Sequence, residues 1–482
     1  MKRYKHKLPH GRNTTFNMGP IVPVGRLLAT RNETYMHSTS MFYRVNTLVH
    51  PVMHPVNTYL RHIFTPFDLV WTNWRDYISG GEDNDDTSEH PYIDFSGSPV
   101  TKGTLAHHLG YPIGFAGNAN ALYFRAYTLY WNEHVRDDQL QAKAPIALTD
   151  GEDTVTNTEL LNDNWNKDPF TSARPDDQLG TDVTISLGGT APVGAMVSST
   201  FEQADTRADG ASGGVASWVQ YGSDQQYADG TQLVAELSSA TGISLSALAF
   251  AIQEGRLKEL INKTGNDYDD FLRRYGIRVN SQIIDRPHIL ATSKQTIQFS
   301  EVLATAEGAN TNVGDMAGHG IAAQKSNRYK HHCKEDGVIL SLACVKPISM
   351  YMDSVDRTLE PMNRLEYFQR EYENLGMQEI KNRHVQHDHS SPDGTFGYED
   401  RYNHLKRIPN TVHGEFADLD KDWHLARSFT GDVALNSSFI TCNPTTRIFA
   451  DTTQDQLKVM VKHNVQKISP IRPRSPMILS NL

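Results

Sequence analysis

The sequence predicts a mainly β protein, an antiparallel framework whose strands come from both ends of the chain and are separated by helices and long loops. Three observations carry this. Val56, Thr58, Leu60, His62 and Phe64 alternate with Asn57, Tyr59, Arg61 and Ile63 near the start, and Leu457, Val459, Val461 and Val465 alternate with Lys458, Met460, Lys462 and Asn464 near the finish. A period of two sends successive side chains to opposite faces of a strand. The run VILSLACV at residues 338–345 is apolar on both faces, the pattern of a central strand covered on each side. Strands so far apart must pair over long range, which an antiparallel sandwich with excursions between its strands allows.

Taken in order, the first strand ends near Phe64. Thr65, Pro66 and Asp68 then offer an N-cap, the favoured first helical residue and an acidic capping-box partner. A helix is expected there, with Phe67, Val70, Trp71, Trp74 and Ile78 at helical spacing and Gly80-Gly81 as its stop. Residues 120–136 predict a second helix with two apolar stripes, Leu122, Ala126 and Leu129 on one side, Phe124, Tyr127, Trp131 and Val135 on the other. A helix apolar on two sides needs two partners. The second stripe reads either as burial within the subunit or as a face for a neighbouring copy, and Phe124, Tyr127, Trp131 and Val135 are the candidate interface residues.

Residues 244–261 predict a third helix with Leu245, Leu248, Ile252 and Leu260 facing inward, and residues 267–275 a fourth, with Asp269 and Asp270 in its first turn, Arg273 and Arg274 in its last and Gly276 beyond. Strands return at residues 295–303 and 337–351, the latter ended by Pro347, and again at residues 457–465, half buried with a basic face.

A chain of 482 residues with 38% hydrophobic and 21% charged residues has the balance of a globular protein. No apolar run approaches the roughly 20 residues that span a bilayer, so no membrane insertion is expected. The basic start MKRYKHKLPHGR is not followed by the apolar segment of a secretory signal. Cys333, Cys344 and Cys442 are too few and scattered for a disulfide framework and read as buried thiols in a reducing cytoplasm.

The net charge of −10 is unevenly spread. Residues 149–236 hold 15 Asp and Glu against 3 Lys and Arg, which leaves the remainder slightly positive. The Gly, Ser and Thr-rich part of that segment, residues 188–230, is too poor in apolar residues to fold alone and reads as a surface loop. The ends lean basic. Lys2, Arg3, Tyr4, Lys5 and Lys7 interleave cations with an aromatic, the pattern that neutralises phosphates and stacks bases, while a solvated tail explains the same residues equally well. Lys458 and Lys462 are further candidates for nucleic-acid contact, against the plain alternative of lysines that prevent edge pairing.

Two long stretches are the most diagnostic: residues 52–81 (VMHPVNTYLRHIFTPFDLVWTNWRDYISGG), and residues 395–449, which open TFGYEDRYNHLKRIPNTVHGEF and close ALNSSFITCNPTTRIF. With residues 123–140 (YFRAYTLYWNEHVRDDQL), residues 167–193 (KDPFTSARPDDQLGTDVTISLGGTAPV), Arg286-Pro287, residues 314–320 and residues 337–351 in the expected order, the chain resembles the Microviridae major capsid proteins, most closely the gokushovirus branch. It departs from their pattern at Pro169, where an aromatic is usual, and at Asp176-Asp177, where Trp-Pro is usual; residues 194–242 match nothing in the pattern.

The resemblance implies an eight-stranded antiparallel viral jelly roll with long helical and loop insertions. Residues 1–29 would form a basic arm and residues 30–482 one capsid unit, with insertions at about 67–294 and 352–450 and a variable surface loop at about 188–242. It implies a structural role: sixty copies in a small icosahedral shell around circular single-stranded DNA, located in the virion and assembled in the host bacterial cytoplasm. The implied partners are other copies of the chain, the packaged DNA, a small basic internal protein, scaffolding and pilot proteins, and a host surface receptor. No cofactor is implied.

Two other classes compete. Jelly rolls also serve as carbohydrate-binding modules, and the acidic loop could meet a host sugar or protein. A metal-dependent enzyme would draw on the 21 histidines, yet His384, His387, Asp388 and His389 lack ligand spacing, and adjacent His331, His332 and Cys333 point to opposite faces of a strand. Gly318, Gly320 and Ala323 imitate half a dinucleotide fingerprint without its strand, turn and helix, and Glu82, Asp83, Asp85 and Asp86 lack the glycine and final glutamate of a calcium loop.

Overall fold

Alternating apolar residues in the described strands fall into two sheets that face each other. The computed structural model describes residues 3–81, 83, 85–180, 193–197, 200–203, 233–235, 245–265, 272–274, 286–303 and 316–473. The sandwich strands are β1 (Tyr4–Lys7), β2 (His10–Phe16), β3 (Val22–Ala29), β4 (Glu33–Val45), β5 (Val56–Pro66), β6 (His288–Thr296), β7 (Gln298–Leu303), β8 (Met316–Lys325), β9 (Tyr329–Cys333), β10 (Gly337–Pro347) and β11 (Leu457–Ser469). One sheet runs β1-β11-β4-β8-β7, with β2 also on β11 and β9 also on β4; the other runs β6-β5-β10-β3. All the pairings are antiparallel. With β1 and β2 sharing one position and β8 and β9 another, the frame is 2-11-4-8 against 3-10-5-6, the winding of a jelly roll.

The core between the sheets takes inward residues from both, among them Met41, Tyr43, Val459 and Val461 from one and Val24, Leu60, Ala343 and Val345 from the other. The second sheet has another apolar layer on its far side. Val338, Leu340, Leu342 and Cys344 of β10 turn away from the sandwich and pack with Trp71 and with Leu122, Phe124 and Tyr127. Every residue of β10 is therefore buried, which is why its sequence is apolar on both faces.

Expectation and structure part at several elements. The described part of the arm expected at residues 1–29, from residue 3 onward, is built into the sheets: β1 and β2 pair with β11, and β3 pairs with β10, because their alternating residues complete the two sheets. The single helix expected after Pro66 is broken into a 3-10 turn at Phe67–Leu69 and helix α1 (Trp74–Ser79), with neither carrying a side-chain cap. The break follows from Trp71, which is fully buried and donates through Nε1 to Asp150 Oδ1, drawing the chain out of helical course. Gly80 closes α1 in the left-handed region at φ 92°. The strand expected at residues 295–303 is two, β6 and β7, divided at Ile297.

Helix α2 (Leu105–Leu109) begins at the cap Thr104, and helix α3 (Ala121–His134) at the cap Asn120, whose side chain accepts from Leu122 N. Both stripes of α3 are met by its own chain. Phe124 and Tyr127 have no exposed surface, Trp131 retains 8%, and the partly buried Val135 packs against the same cluster, so the subunit itself already covers most of this stripe. Tyr127 donates its hydroxyl to Ile21 O at 2.8 Å and Trp131 donates Nε1 to Asn162 O at 2.8 Å, tying the helix to strand-flanking backbone.

Residues Gln178–Gly265 form a second compact unit. It holds a small antiparallel sheet of Val193–Val197, Thr200–Gln203 and Leu233–Ala235, and helix α4 (Leu245–Thr264). Leu248, Ile252 and Leu260, expected to face inward, are exposed. The Leu245 side chain, most of the 188–242 loop and most of the helix expected at residues 267–275 lie outside the described residues.

Candidate nucleic-acid interface

The outward face of the first sheet is set by the register of three strands. Lys458 of β11 stands opposite Arg44 of β4 and Thr15 of β2; Met460 stands opposite Phe42 and Asn13; Lys462 stands opposite Ser40 and Gly11. Residues directly opposite in an antiparallel pair share a face, so cations and apolar groups lie in adjoining rows. β11 is an interior strand of this sheet, flanked by β4 and by β1 and β2, so Lys458 and Lys462 are not there to block edge pairing.

The rows open into a groove of about 830 Å³ that reaches across strand β2 to the loop before α2 and the turn after it. Its cations are Arg12, Arg44, Lys102 and Lys458, and its one acid is Asp455, which is occupied by the Thr15 hydroxyl. None of the four cations has an ion pair among the described residues. Phe42, Tyr111 and Met460 supply the apolar part of the lining. In a chain of net charge −10, a local excess of positive charge beside exposed apolar groups suits a polyanion whose bases are unpaired.

The walls of the groove are fixed by short-range chemistry. Arg12 and Thr14 turn toward α2, where Arg12 Nη2 donates to His107 O at 3.3 Å and Thr14 Oγ1 lies 3.4 Å from His108 Nδ1. Burial, with the Arg26 guanidinium beside it, holds Arg12 below its usual value, while burial and then Arg12 push His108 down to about 4. The imidazole therefore stays neutral and the positive charge rests on the arginines and lysines. Helix α2 ends at Gly110, which adopts φ +107°, a left-handed conformation that glycine takes without the strain a side chain would bring.

Of the residues singled out in the sequence, Lys458 lines the groove and Lys462 lies one row beyond it. Lys5 and Lys7 are exposed on β1, and Tyr4 is half buried there. Arg3 reaches back to its own chain, donating to Asn32 O and lying 3.4 Å from His332 Nδ1. Lys2 lies outside the described residues. Arg44, Lys102, Tyr111 and Phe42 were missed; the alternation Met41, Tyr43, Val45 on β4 was the available signal that Phe42 and Arg44 face outward.

His384 Nε2 sits 2.8 Å from Glu360 Oε2, His389 Nδ1 accepts from Ser391 N at 2.9 Å, and among the described residues no group of three His, Cys, Asp or Glu is arranged to hold a metal. Cys333, Cys344 and Cys442 are free and buried, and burial pushes Cys333 and Cys442 up to about 12, which keeps both thiols protonated. No helix among the described residues is long and apolar enough to cross a membrane.

A jelly roll with long excursions is an architecture shared by viral shell proteins and lectins, and the family match decides for a viral shell protein. Across residues 1–478 the chain matches the family described as capsid protein (F protein), and it belongs to that family. It is similar to capsid protein VP1 of Bdellovibrio phage phiMH2K, with 27% identity over 92% of this chain and 88% of the relative. It is also similar to capsid protein VP1 of Chlamydia phage 1, with 23% identity over 98% and 94%, and to capsid protein VP1 of Spiroplasma virus 4, with 25% over 91% and 87%. The chain is thus a structural protein, the major capsid protein of a small single-stranded DNA phage, resident in the virion and without an enzymatic role.

Proposed function

We propose that sixty copies of this chain close into a small icosahedral shell around circular single-stranded DNA and that the groove lined by Arg12, Arg44, Lys102 and Lys458 is where the shell meets its genome. The observation that carries the reading is the concentration of four cations against a single acid in a groove with exposed apolar walls. Lysine and arginine neutralise phosphates without regard to sequence. Aromatic and apolar walls favour unpaired bases, whose faces a duplex hides. Lys5 and Lys7, on the strand beside β11, would extend the same contact.

Assembly takes place in the host bacterial cytoplasm, together with scaffolding and pilot proteins and a small basic internal protein that shares the neutralisation of the genome. Each subunit meets several neighbours, so stability accumulates over many modest contacts. The segment at residues 188–242, acidic and rich in Gly, Ser and Thr, contacts the host receptor.

Electron microscopy of the chain expressed with its partner proteins tests the reading. Uniform spheres a few hundred ångströms across, holding nuclease-protected single-stranded DNA, are expected; a chain that stays solitary at high concentration with its partners present overturns it. Exchanging residues 188–242 with those of a related phage should redirect host attachment while particles still form.

A further inference from the structure

The excursion after β10 carries an apolar surface that its own chain leaves uncovered. Leu359, Met362, Leu365, Tyr367, Phe368 and Leu375 are between 54% and 84% exposed, although such side chains are the ones a folded protein ordinarily buries. Leu405 and Ile408 add to it at 55% and 75%, and the turns Arg357–Leu359 and Asn403–Leu405 lie against each other. An exposed apolar patch of this extent marks an interaction surface.

The surface is held in shape before any partner arrives. Tyr402, nearly buried, adopts φ 61°, a left-handed conformation that non-glycine residues rarely take. Its ring meets that of Phe368 edge-on with centroids 5.0 Å apart, and its hydroxyl accepts from Gln369 N at 3.1 Å and donates to Gln369 O at 3.2 Å. Arg357 Nη1 donates to Glu379 O at 2.7 Å, fixing the near end of the segment to the small sheet of Gln378–Lys381 and Thr395–Glu399. Strained backbone retained by its surroundings accompanies function more often than chance.

We infer that this surface docks a second copy of the chain and forms one of the contacts between neighbouring subunits. The inference rests on the shell reading above. Two observations select this occupant. Residues 357–376 carry Arg357, Arg364 and Arg370 against Glu360, Glu366, Glu371 and Glu373, a near-balanced mixture that suits neither a nucleic acid nor a small basic protein and does suit another surface of mixed sign. Six side chains at this exposure offer on the order of 600 Å², and with Leu405 and Ile408 the patch approaches the roughly 800 Å² per partner of a stable interface.

The test is hydroxyl-radical footprinting of the full chain in mature particles and as unassembled subunits, read at Met362, Tyr367 and Phe368. Strong protection in mature particles is expected. Equal reactivity in both states overturns the inference, as does protection confined to scaffold-bearing intermediates, which would assign the surface to the scaffolding protein. The variant Met362→Asp with Leu365→Asp, at two exposed side chains, should keep the circular dichroism and melting temperature of the subunit while losing particles. Normal particles from it overturn the inference, whereas failure of the unmodified chain to form particles would overturn the shell reading instead.

Discussion

His37 Nε2 lies 3.1 Å from His463 Nδ1 between the two sheets, and Thr39 Oγ1 sits 3.0 and 2.9 Å from the same two nitrogens. Around them, Tyr329 meets His37 Nδ1 at 3.0 Å, His62 is held by Ser341 and Ser326, His463 Nε2 donates to Val24 O at 3.1 Å, and His10 stacks on His463. Neutral imidazoles satisfy one another across the sandwich; an added proton would be placed in a buried site with no carboxylate among these partners.

Acid lability follows from that cluster. Burial, and then the neighbouring imidazoles, push His37 down to about 2 and His62 to about 3, and burial foremost pushes His463 to about 4. The unfolded chain binds these protons near pH 6.5 and the folded chain does not, so stability is full above pH 6.5 and falls as the pH drops toward 4. At about 1.4 kcal/mol per group per pH unit, the three together cost about 4 kcal/mol at pH 5.5. Urea unfolding midpoints of the unassembled subunit should decline over this range, and His37→Gln with His463→Gln should flatten the decline; an unchanged pH profile would refute the assignment.

Arg125 and Asp153 form an ion pair at 2.8 Å with both side chains fully shielded, and Arg125 also donates to Val70 O and Thr149 O. Removing one partner strands the other charge in the core. Arg125→Met should destabilise the subunit by about 3–5 kcal/mol, measured by denaturant unfolding, with Arg125→Lys recovering only part of it because the fork of donors is lost.

Gly337 opens β10 where a Cβ would stand 2.4 Å from Thr65 O and 2.9 Å from Pro66 Cα, both main-chain atoms that cannot swing aside. Gly337→Ala should cost about 1–3 kcal/mol or more through forced separation of β10 and β5. Retention of full stability would show that the two strands part freely.

For the groove, Arg44→Ala with Lys458→Ala in the full chain should weaken single-stranded DNA binding at low salt. The slope of log affinity against log salt should fall by about 0.7 for each phosphate that is no longer neutralised. Lys5→Ala with Lys7→Ala measures the share of β1 without removing a strand. A slope unmoved by the groove variant would exclude the groove as the place where the genome binds.

Much of the frame was legible because its signals are local. The doubly apolar run of β10, the alternation of β11 and the capped, aromatic α3 each name their element from a dozen residues. The turn at Trp71 was not legible, because the force that breaks the expected helix is a hydrogen bond to Asp150 far along the chain. The second stripe of α3 was legible as needing a partner, yet only the folded chain shows that Trp131 and Tyr127 find theirs in the backbone at Asn162 and Ile21. The groove escaped for the same reason: Arg12, Arg44, Lys102 and Lys458 are scattered in sequence, Arg44 meeting Lys458 through sheet register and Arg12 and Lys102 joining only through the packing of β2 and the loop before α2.

Strand β2 completes the first sheet by pairing with β11, more than four hundred residues further along. During synthesis the early strand therefore waits for a ribosome to deliver the late one, roughly 20 to 90 seconds at ~5–20 residues per second. Until then the nascent subunit keeps an open edge, and shell building is timed by the delivery of β11.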